Sequence, residues 1–189
     1  MRYVVPIIAA LAVTPALADE TVVTLEGGVV GTLSMPDGDG PFPAVLMLHG
    51  FGSSRDEVGG MYATEASALA DIGIASLRID FRGFGQSAGD TGHHTVDRQN
   101  GDAAVGLAAL MTTDGVDAAR IGVLGFSFGG GAAIQLAAAN PEAVRSLVTW
   151  SSVADYDVDF LQSLGQPTFD RAAARRASSG SIWGGAPSL

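Results

Sequence analysis

Residues 121–131, IGVLGFSFGGG, join an apolar run to a run of small residues through Gly-Phe-Ser-Phe-Gly. This pattern is typical of a buried strand that ends in a sharp turn and presents a serine before a helix begins. Side chains two positions before and after such a serine crowd the turn, which favours Gly125 and Gly129 there. The stretch therefore predicts Ser127 as a nucleophile, with the amide of Phe128 as one donor to an oxyanion.

Strand-like and helix-like stretches alternate along the rest of the chain. The predicted strands are 42–50, 74–80, 120–126 and 144–151, and the predicted helices are 56–71, 96–112 and 128–140. Alternation at this spacing indicates βαβ units in a doubly wound, mostly parallel sheet. Two short strands around Gly27 and Gly28 predict an antiparallel hairpin ahead of it. We expect an α/β fold in which residues 19–177 form one domain, with Thr95 capping the second helix.

A second loop is expected beside the serine turn. The segment LHGFGSS, residues 48–54, leaves the end of an early parallel strand. Functional loops gather at the carboxyl ends of parallel strands. The amide of Phe51 is the expected second oxyanion donor, with Gly50 and Gly52 letting the backbone approach the site closely.

A serine nucleophile needs a base, usually a histidine, and an acid that orients the base. The sequence contains three histidines, His49, His93 and His94, and all of them precede Ser127. Each is a candidate base, and each has a structural alternative: His49 ends a strand and is expected to order its own loop, and the other two lie in a Gly-rich loop. Asp155, after the last clear strand, is the candidate acid.

Other chemistries find less support in the sequence. A phosphate-binding P-loop needs a lysine, and the chain has none. The pattern Gly83-x-Gly85-x-x-Ala88 opens a polar loop rather than a helix and lacks the acidic residue of a dinucleotide site. The net charge of −10 disfavours nucleic acid as a partner. The histidines lack metal-ligand spacing, and we expect no cofactor and no metal.

Three motifs in this order and spacing resemble the α/β-hydrolase superfamily: LHGFGSSRDE, IASLRIDFRGFGQSAGD and RIGVLGFSFGGGAAIQLAA. The likeness is strongest to bacterial serine-aminopeptidase-like, dienelactone-hydrolase-like and feruloyl-esterase-like proteins, and it runs from about residue 22 to about residue 174. It implies an α/β-hydrolase fold, Ser127 as nucleophile and the amides of Phe51 and Phe128 as the oxyanion hole. The implied reaction is hydrolysis of carboxylic esters or small amides through an acyl-enzyme.

The same resemblance assigns a structural role to the loop DFRGFGQS, residues 80–87. Asp80 and Arg82 are expected to hold this loop by an ion pair and by backbone hydrogen bonds. Its two glycines then serve the path of the loop rather than a cofactor.

The chain departs from the family pattern after LVTWSS. The family places the acid after the next strand and the histidine one strand later, and neither strand is found here. The resemblance therefore implies a sheet without its last strands, impaired turnover, poor stability and an uncovered edge at LVTWS. The alternative is an inactive binding module or a truncated pseudogene product. Residues 178–189 do not resemble the rest of the chain or the family. When these residues are back-translated and the reading frame is shifted by one base, the result resembles a hydrolase sequence more closely. We therefore hypothesise a frameshift, which the genomic DNA sequence would test.

The first residues, MRYVVPIIAALAVTPALADE, combine one arginine, an apolar stretch and an A-x-A site. This pattern predicts a secretory signal peptide over residues 1–18, cleaved after Ala18. The apolar stretch is shorter than the roughly 20 residues of a membrane-spanning helix, and an uncleaved anchor is the alternative. We expect a secreted or periplasmic protein that is free of the membrane after cleavage. The sequence does not predict an oligomeric state.

Overall fold

The structure is a computed structural model that describes residues 19–168, 170, 171 and 174. The predicted signal peptide, residues 1–18, and the predicted atypical tail, residues 178–189, lie outside the described residues. Both therefore remain predictions, and the fold concerns the part between them.

Among residues 19–168 six strands form one sheet in the order β1-β2-β4-β3-β5-β6. Their bounds are β1 Asp19–Thr24, β2 Val30–Met35, β3 Phe42–Leu48, β4 Ala75–Asp80, β5 Val116–Phe126 and β6 Val144–Trp150. The pairs β1–β2 and β2–β4 are antiparallel, and the pairs β3–β4, β3–β5 and β5–β6 are parallel. The predicted mostly parallel sheet with an N-terminal hairpin is confirmed.

Within the described part of the chain the sheet is accompanied by the α-helices α1 Met61–Asp71, α2 Val96–Thr112, α3 Phe128–Ala139 and α4 Tyr156–Leu164. The second helix has the predicted bounds, and Thr95 Oγ1 accepts the predicted capping bond from the Arg98 amide at 3.1 Å. The first helix begins five residues later than predicted, because Glu57 and Gly59 have positive φ values that an α-helix cannot include. Short 3-10 turns cover 26–28, 58–60 and 91–93.

The core has two parts because neighbouring side chains on a strand point to opposite faces of the sheet. On β3, Leu46 and Leu48 join the larger buried cluster with α2 and α3, whereas Met47 joins the smaller cluster with α1. Tyr62, Ala66 and Ala70 form the buried face of α1, a spacing that the sequence of this helix predicts for one helical face, with Leu69 partly buried beside them. Helices thus cover both faces, which confirms the doubly wound arrangement.

The outer edge of the sheet at β6 is largely exposed. Among the described strands β6 pairs only with β5, and Leu147 and Val148 are each more than two-fifths exposed. No helix within the described residues is long and apolar enough to cross a membrane. The carboxyl ends of β3, β4, β5 and β6 meet at one side of the sheet, where the loops 49–60, 81–95 and 151–155 and the turn at Ser127 come together.

Candidate active site

Ser127 lies at the junction of β5 and α3 in a strained conformation, with φ +52° and ψ −120°. Positive φ is costly for a residue with a side chain, and such strain persists only where the surroundings impose it. The Ser127 amide donates to the Trp150 carbonyl at 2.9 Å, and the Ser127 carbonyl accepts from Gly130 and Val153 at 2.9 and 3.1 Å. The turn is thereby held between the ends of β5 and β6, as a strand-to-helix serine turn requires.

The predicted steric reason for glycine on either side of Ser127 is visible in the packing. A Cβ atom on Gly129 would collide with the carbonyl oxygens of Leu48 and His49, and one on Gly125 would collide with the Gly129 backbone. Both positions therefore exclude any side chain.

The two loop glycines differ from each other. A Cβ on Gly50 would lie 3.3 Å from Ser127 Cβ, so the loop after β3 passes directly beside the candidate nucleophile. A Cβ on Gly52 would have no neighbour within 4 Å, and its φ of +75° is what favours glycine there. Close approach, as predicted, applies to Gly50 and not to Gly52.

Glu57 organises this loop, and its role was not predicted from the sequence. Its buried carboxylate accepts the Gly50 amide through Oε2 at 2.6 Å and the Val58 amide through Oε1 at 3.0 Å. Its own backbone has φ +59° and ψ −179°, a region that is essentially restricted to glycine. Because the Gly50 amide is bound by Glu57, the loop turns at Gly50 and brings Phe51 to the site.

The two candidate oxyanion donors belong to segments that contact each other. The rings of Phe51 and Phe128 lie 5.5 Å apart between centroids. Phe128 is the first residue of α3, where backbone amides have no partner within the helix. The helix terminus also favours negative charge at this place.

His49 is fully buried, and both of its ring nitrogens have backbone partners. Nε2 accepts the Phe81 amide at 3.0 Å, so Nδ1 carries the proton and donates to the Gly50 carbonyl at 2.7 Å. Burial lowers the pKa of His49, and the Gly50 carbonyl and the charge of Asp80 oppose this only in part. These contacts agree with the expected structural role in its own loop.

The other two histidines lie in different environments. His93 is exposed, with Nδ1 3.0 Å from Asp90 Oδ2. His94 packs among the rings of Phe51 and Phe84, and its Nε2 lies 3.1 Å from Gln99 Oε1. None of these hydrogen bonds leads to Ser127, so the base stays unassigned.

Gln99 links the histidine loop to the start of α3. Its Nε2 donates to the Phe128 carbonyl at 3.0 Å, and the Tyr156 hydroxyl donates to the same carbonyl at 3.3 Å. Neither residue was predicted from the sequence. The signal for Gln99 was a polar residue on the buried stripe of α2, where a side-chain amide needs partners.

Asp155, the candidate acid, caps α4. Its Oδ1 accepts the Val158 amide at 3.1 Å, and the side chain is exposed. Within the described residues no three His, Asp or Glu side chains form a group that could hold a metal ion. Because the hydrogen bond of Asp155 goes to the Val158 amide and not to a histidine, the catalytic acid, like the base, stays unassigned.

The expected ion pair between Asp80 and Arg82 is wrong. Asp80 pairs with Arg55 and also accepts the amides of Arg55 and Gln86, at 2.6 and 2.8 Å. Arg82 pairs with Asp102 on α2 and donates its amide to the same carboxylate at 2.7 Å. Both carboxylates are fully buried, so each needs a backbone donor as well as a cation. The loop is thus held from two sides.

A strained serine turn at the end of a parallel strand, beside a loop from a neighbouring strand, defines an α/β hydrolase. The family model described as "Serine aminopeptidase, S33" matches residues 39–181. The chain belongs to this hydrolase family.

Two curated relatives match about seven tenths of this chain, and one of them is named as an esterase. A protein of Escherichia coli described as an uncharacterized 31.7 kDa protein is 31% identical over 134 residues, which are 71% of this chain and 46% of the relative. Esterase FrsA of Klebsiella pneumoniae is 33% identical over 135 residues, which are 70% of this chain and 31% of the esterase. The chain spans less than half the length of these relatives.

Solved structures share the fold. Est1E from Butyrivibrio proteoclasticus, solved with ferulic acid, superposes with a TM-score of 0.66 at 24% identity, covering 75% of this chain and 56% of Est1E. Dienelactone hydrolase from Anabaena variabilis superposes with a TM-score of 0.61 at 26% identity, covering 72% of this chain and 65% of that enzyme. The predicted α/β-hydrolase fold is confirmed.

Proposed function

We propose that the protein hydrolyses carboxylic esters or small amides through an acyl-enzyme on Ser127. The observation that carries this proposal is the strained turn, in which a non-glycine residue keeps φ +52° beside a loop that approaches it at Gly50. Strain of this kind is concentrated at functional sites. The esterase name of the FrsA relatives supports the same reaction class.

In the proposed reaction Ser127 Oγ attacks the carbonyl carbon of the substrate. The carbonyl oxygen becomes an oxyanion that the amides of Phe51 and Phe128 stabilise. The tetrahedral species collapses, the bond to the leaving alcohol or amine breaks, and the leaving group takes up the serine proton. Water then adds to the acyl group, releases the carboxylic acid and restores the serine hydroxyl.

We expect this chain to turn over substrate slowly. The hydrogen bonds of all three histidines lead away from Ser127. Without a base, an oxyanion hole alone supports only a residual rate, far below that of a complete triad. We therefore expect an acyl group that an activated ester transfers to Ser127 to stay attached throughout the measurement, because no base activates water to remove it.

First-turnover kinetics test this proposal. With p-nitrophenyl acetate in excess, the chain should release about one equivalent of nitrophenolate per Ser127 and then slow down. The Ser127→Ala variant should lose this burst. Ser163→Ala, an exposed serine of α4, should keep it. A burst that survives in Ser127→Ala would refute the proposal.

The second candidate is an inactive hydrolase-fold binding module. The observation that favours it is that none of the hydrogen bonds of His49, His93 and His94 connects a histidine to Ser127. This candidate predicts no acyl transfer from any activated ester and ligand binding that is unaffected by Ser127→Ala.

A further inference from the structure

A cavity of about 350 Å³ opens beside the two candidate oxyanion donors. Phe51 and Phe128 line it directly, and Val96 and Phe160 extend its wall. Its size lies near the lower end of the roughly 300–1,000 Å³ of small-molecule sites. A group bound in this cavity would therefore be compact, and would lie next to the position of the substrate carbonyl.

Three phenyl rings shape the cavity. The ring centroids of Phe51 and Phe128 are 5.5 Å apart, and those of Phe128 and Phe160 are 5.2 Å apart. These are the separations at which aromatic rings attract each other in tilted arrangements. Phe51 is nevertheless 54% exposed, an unfavourable state for a large apolar side chain that a bound apolar group would relieve.

The walls of the cavity give a cationic group no ion-pair partner. Among the described residues that line it there is no Asp, Glu, Lys or Arg. Its polar members are His94, Thr95 and Gln99. His94 Nε2 is bonded to Gln99, Gln99 is bonded further to the Phe128 carbonyl, and Thr95 Oγ1 caps α2, whereas His94 Nδ1 has no partner among the described residues. An ammonium group in this cavity would lose its water without gaining an ion pair, which is costly.

We infer that this cavity is an acyl site for a compact, uncharged aromatic acyl group of the benzoyl type. The inference rests on the proposed function, because it places the acyl carbonyl at Ser127. It also excludes substrates with a free α-ammonium group, since a site for that cation would need a carboxylate in its wall. A linear acyl chain has no ring to pack against the three phenyl rings, so we expect it to bind more weakly than a benzoyl group.

Binding to the unreactive Ser127→Ala variant of the full chain tests the inference without requiring catalysis. Ligand-observed NMR would compare methyl benzoate, methyl octanoate and glycine methyl ester. Methyl benzoate should bind most tightly of the three. Equal or tighter binding of either other ester would overturn the inference.

Phe160→Ala, made in the Ser127→Ala chain, should weaken methyl benzoate binding by about 2- to 12-fold, the value of one aromatic pair. Phe160→Leu, which keeps an apolar side chain, should give a smaller loss and shows whether α4 itself is intact. The matched control is Val158→Ala on the same helix, which is about half exposed and does not line the cavity. Unchanged binding in Phe160→Ala would also overturn the inference.

A failure of the proposed function and a failure of the proposed acyl site give different results. If methyl benzoate binds as expected but p-nitrophenyl benzoate transfers no acyl group to Ser127, the proposed function is wrong and the ligand class stands. If p-nitrophenyl acetate acylates Ser127 faster than p-nitrophenyl benzoate and the three methyl esters bind alike, the acyl site is wrong and the proposed function stands.

Discussion

Glu57 holds the loop of the candidate site at the cost of its own backbone conformation. Its φ of +59° and ψ of −179° cost about 1–3 kcal/mol for a residue with a side chain. The buried carboxylate offsets this cost by accepting the amides of Gly50 and Val58. The sequence places Glu57 in the first turn of a predicted helix, where an acidic residue is expected at the surface, so its role is visible only in the fold.

Replacing Glu57 with alanine should lower the free energy of unfolding by about 1–3 kcal/mol, because the buried Gly50 amide loses its acceptor. Glu57→Gln should lose less, since its amide oxygen still accepts this bond, although more weakly than a carboxylate does. Urea unfolding measures both. Glu142→Ala, at an exposed acidic residue, is the control and should change stability by less than about 0.5 kcal/mol. Equal losses in Glu57→Ala and Glu142→Ala would contradict the assigned role.

His49 should make the fold sensitive to mild acid. Burial lowers its pKa in the folded chain, whereas an unfolded histidine has a pKa of about 6.5. Below that pH the unfolded chain binds a proton that the folded chain does not. The free energy of unfolding should therefore be fully maintained above about pH 6.5 and fall below it, by up to about 1.4 kcal/mol per pH unit.

Urea unfolding between pH 7.5 and 5 measures this dependence. The His49→Asn variant should be less stable at pH 7.5 and should show a flatter dependence on pH. His93→Asn, at the exposed histidine, should keep the dependence of the parent chain. If the free energy of unfolding of the parent chain stayed constant across this range, the predicted effect of His49 would be contradicted.

At the level of single residues, the sequence predicted the features that arise from local rules. The glycines around Ser127 could be predicted because the crowding arises within one turn. The roles of Glu57, Gln99 and Phe160 could not, because the partners of each are set by the packing of separate loops and helices. Asp80 and Arg82 were paired with each other in the prediction because they are close in sequence, whereas their partners lie on other elements.

The junction of β5 and α3 is the element on which the candidate site depends. The first turn of α3 packs so closely against the end of β3 that Gly129 meets the carbonyls of Leu48 and His49. This contact sets the position of the α3 terminus relative to the loop that carries Phe51. A side chain at residue 129 would separate the two candidate oxyanion donors.

Gly129→Ala should lower the free energy of unfolding by about 1–3 kcal/mol through overpacking and should also slow acylation of Ser127. Gly101→Ala, in the exposed middle of α2, should instead raise stability by about 0.5–1 kcal/mol, because alanine favours the helix. Thermal or urea unfolding measures both variants. A stabilised Gly129→Ala variant would contradict the packing described for this junction.

Helix boundaries show the same division between local and distant causes. The start of α2 was predicted correctly because Thr95 is a strong capping residue within the segment itself. The start of α1 was predicted too early because the apolar spacing of residues 62–70 indicates a helix but does not mark its first residue. Its backbone is instead held by the contact between Glu57 and Gly50, seven residues away.

At the scale of the molecule, alternating strands and helices were enough to predict a parallel α/β sheet. The strand order β1-β2-β4-β3-β5-β6 was not predicted, since pairing depends on contacts between distant segments. This order places the loops after β3 and β5 side by side, because these strands pair directly. The strand order therefore brings together the two parts of the candidate site, Phe51 and Ser127, which are 76 positions apart in the sequence.

Mass spectrometry of the acylated chain tests the central claim most directly. After incubation with p-nitrophenyl acetate and proteolysis, we expect one acetyl group on the peptide that contains Ser127, and none there in Ser127→Ala. The adduct should persist, because none of the hydrogen bonds of His49, His93 and His94 connects a base to Ser127. An acetyl group found on other residues, with residue 127 unmodified, would contradict the claim that this strained serine is the nucleophile.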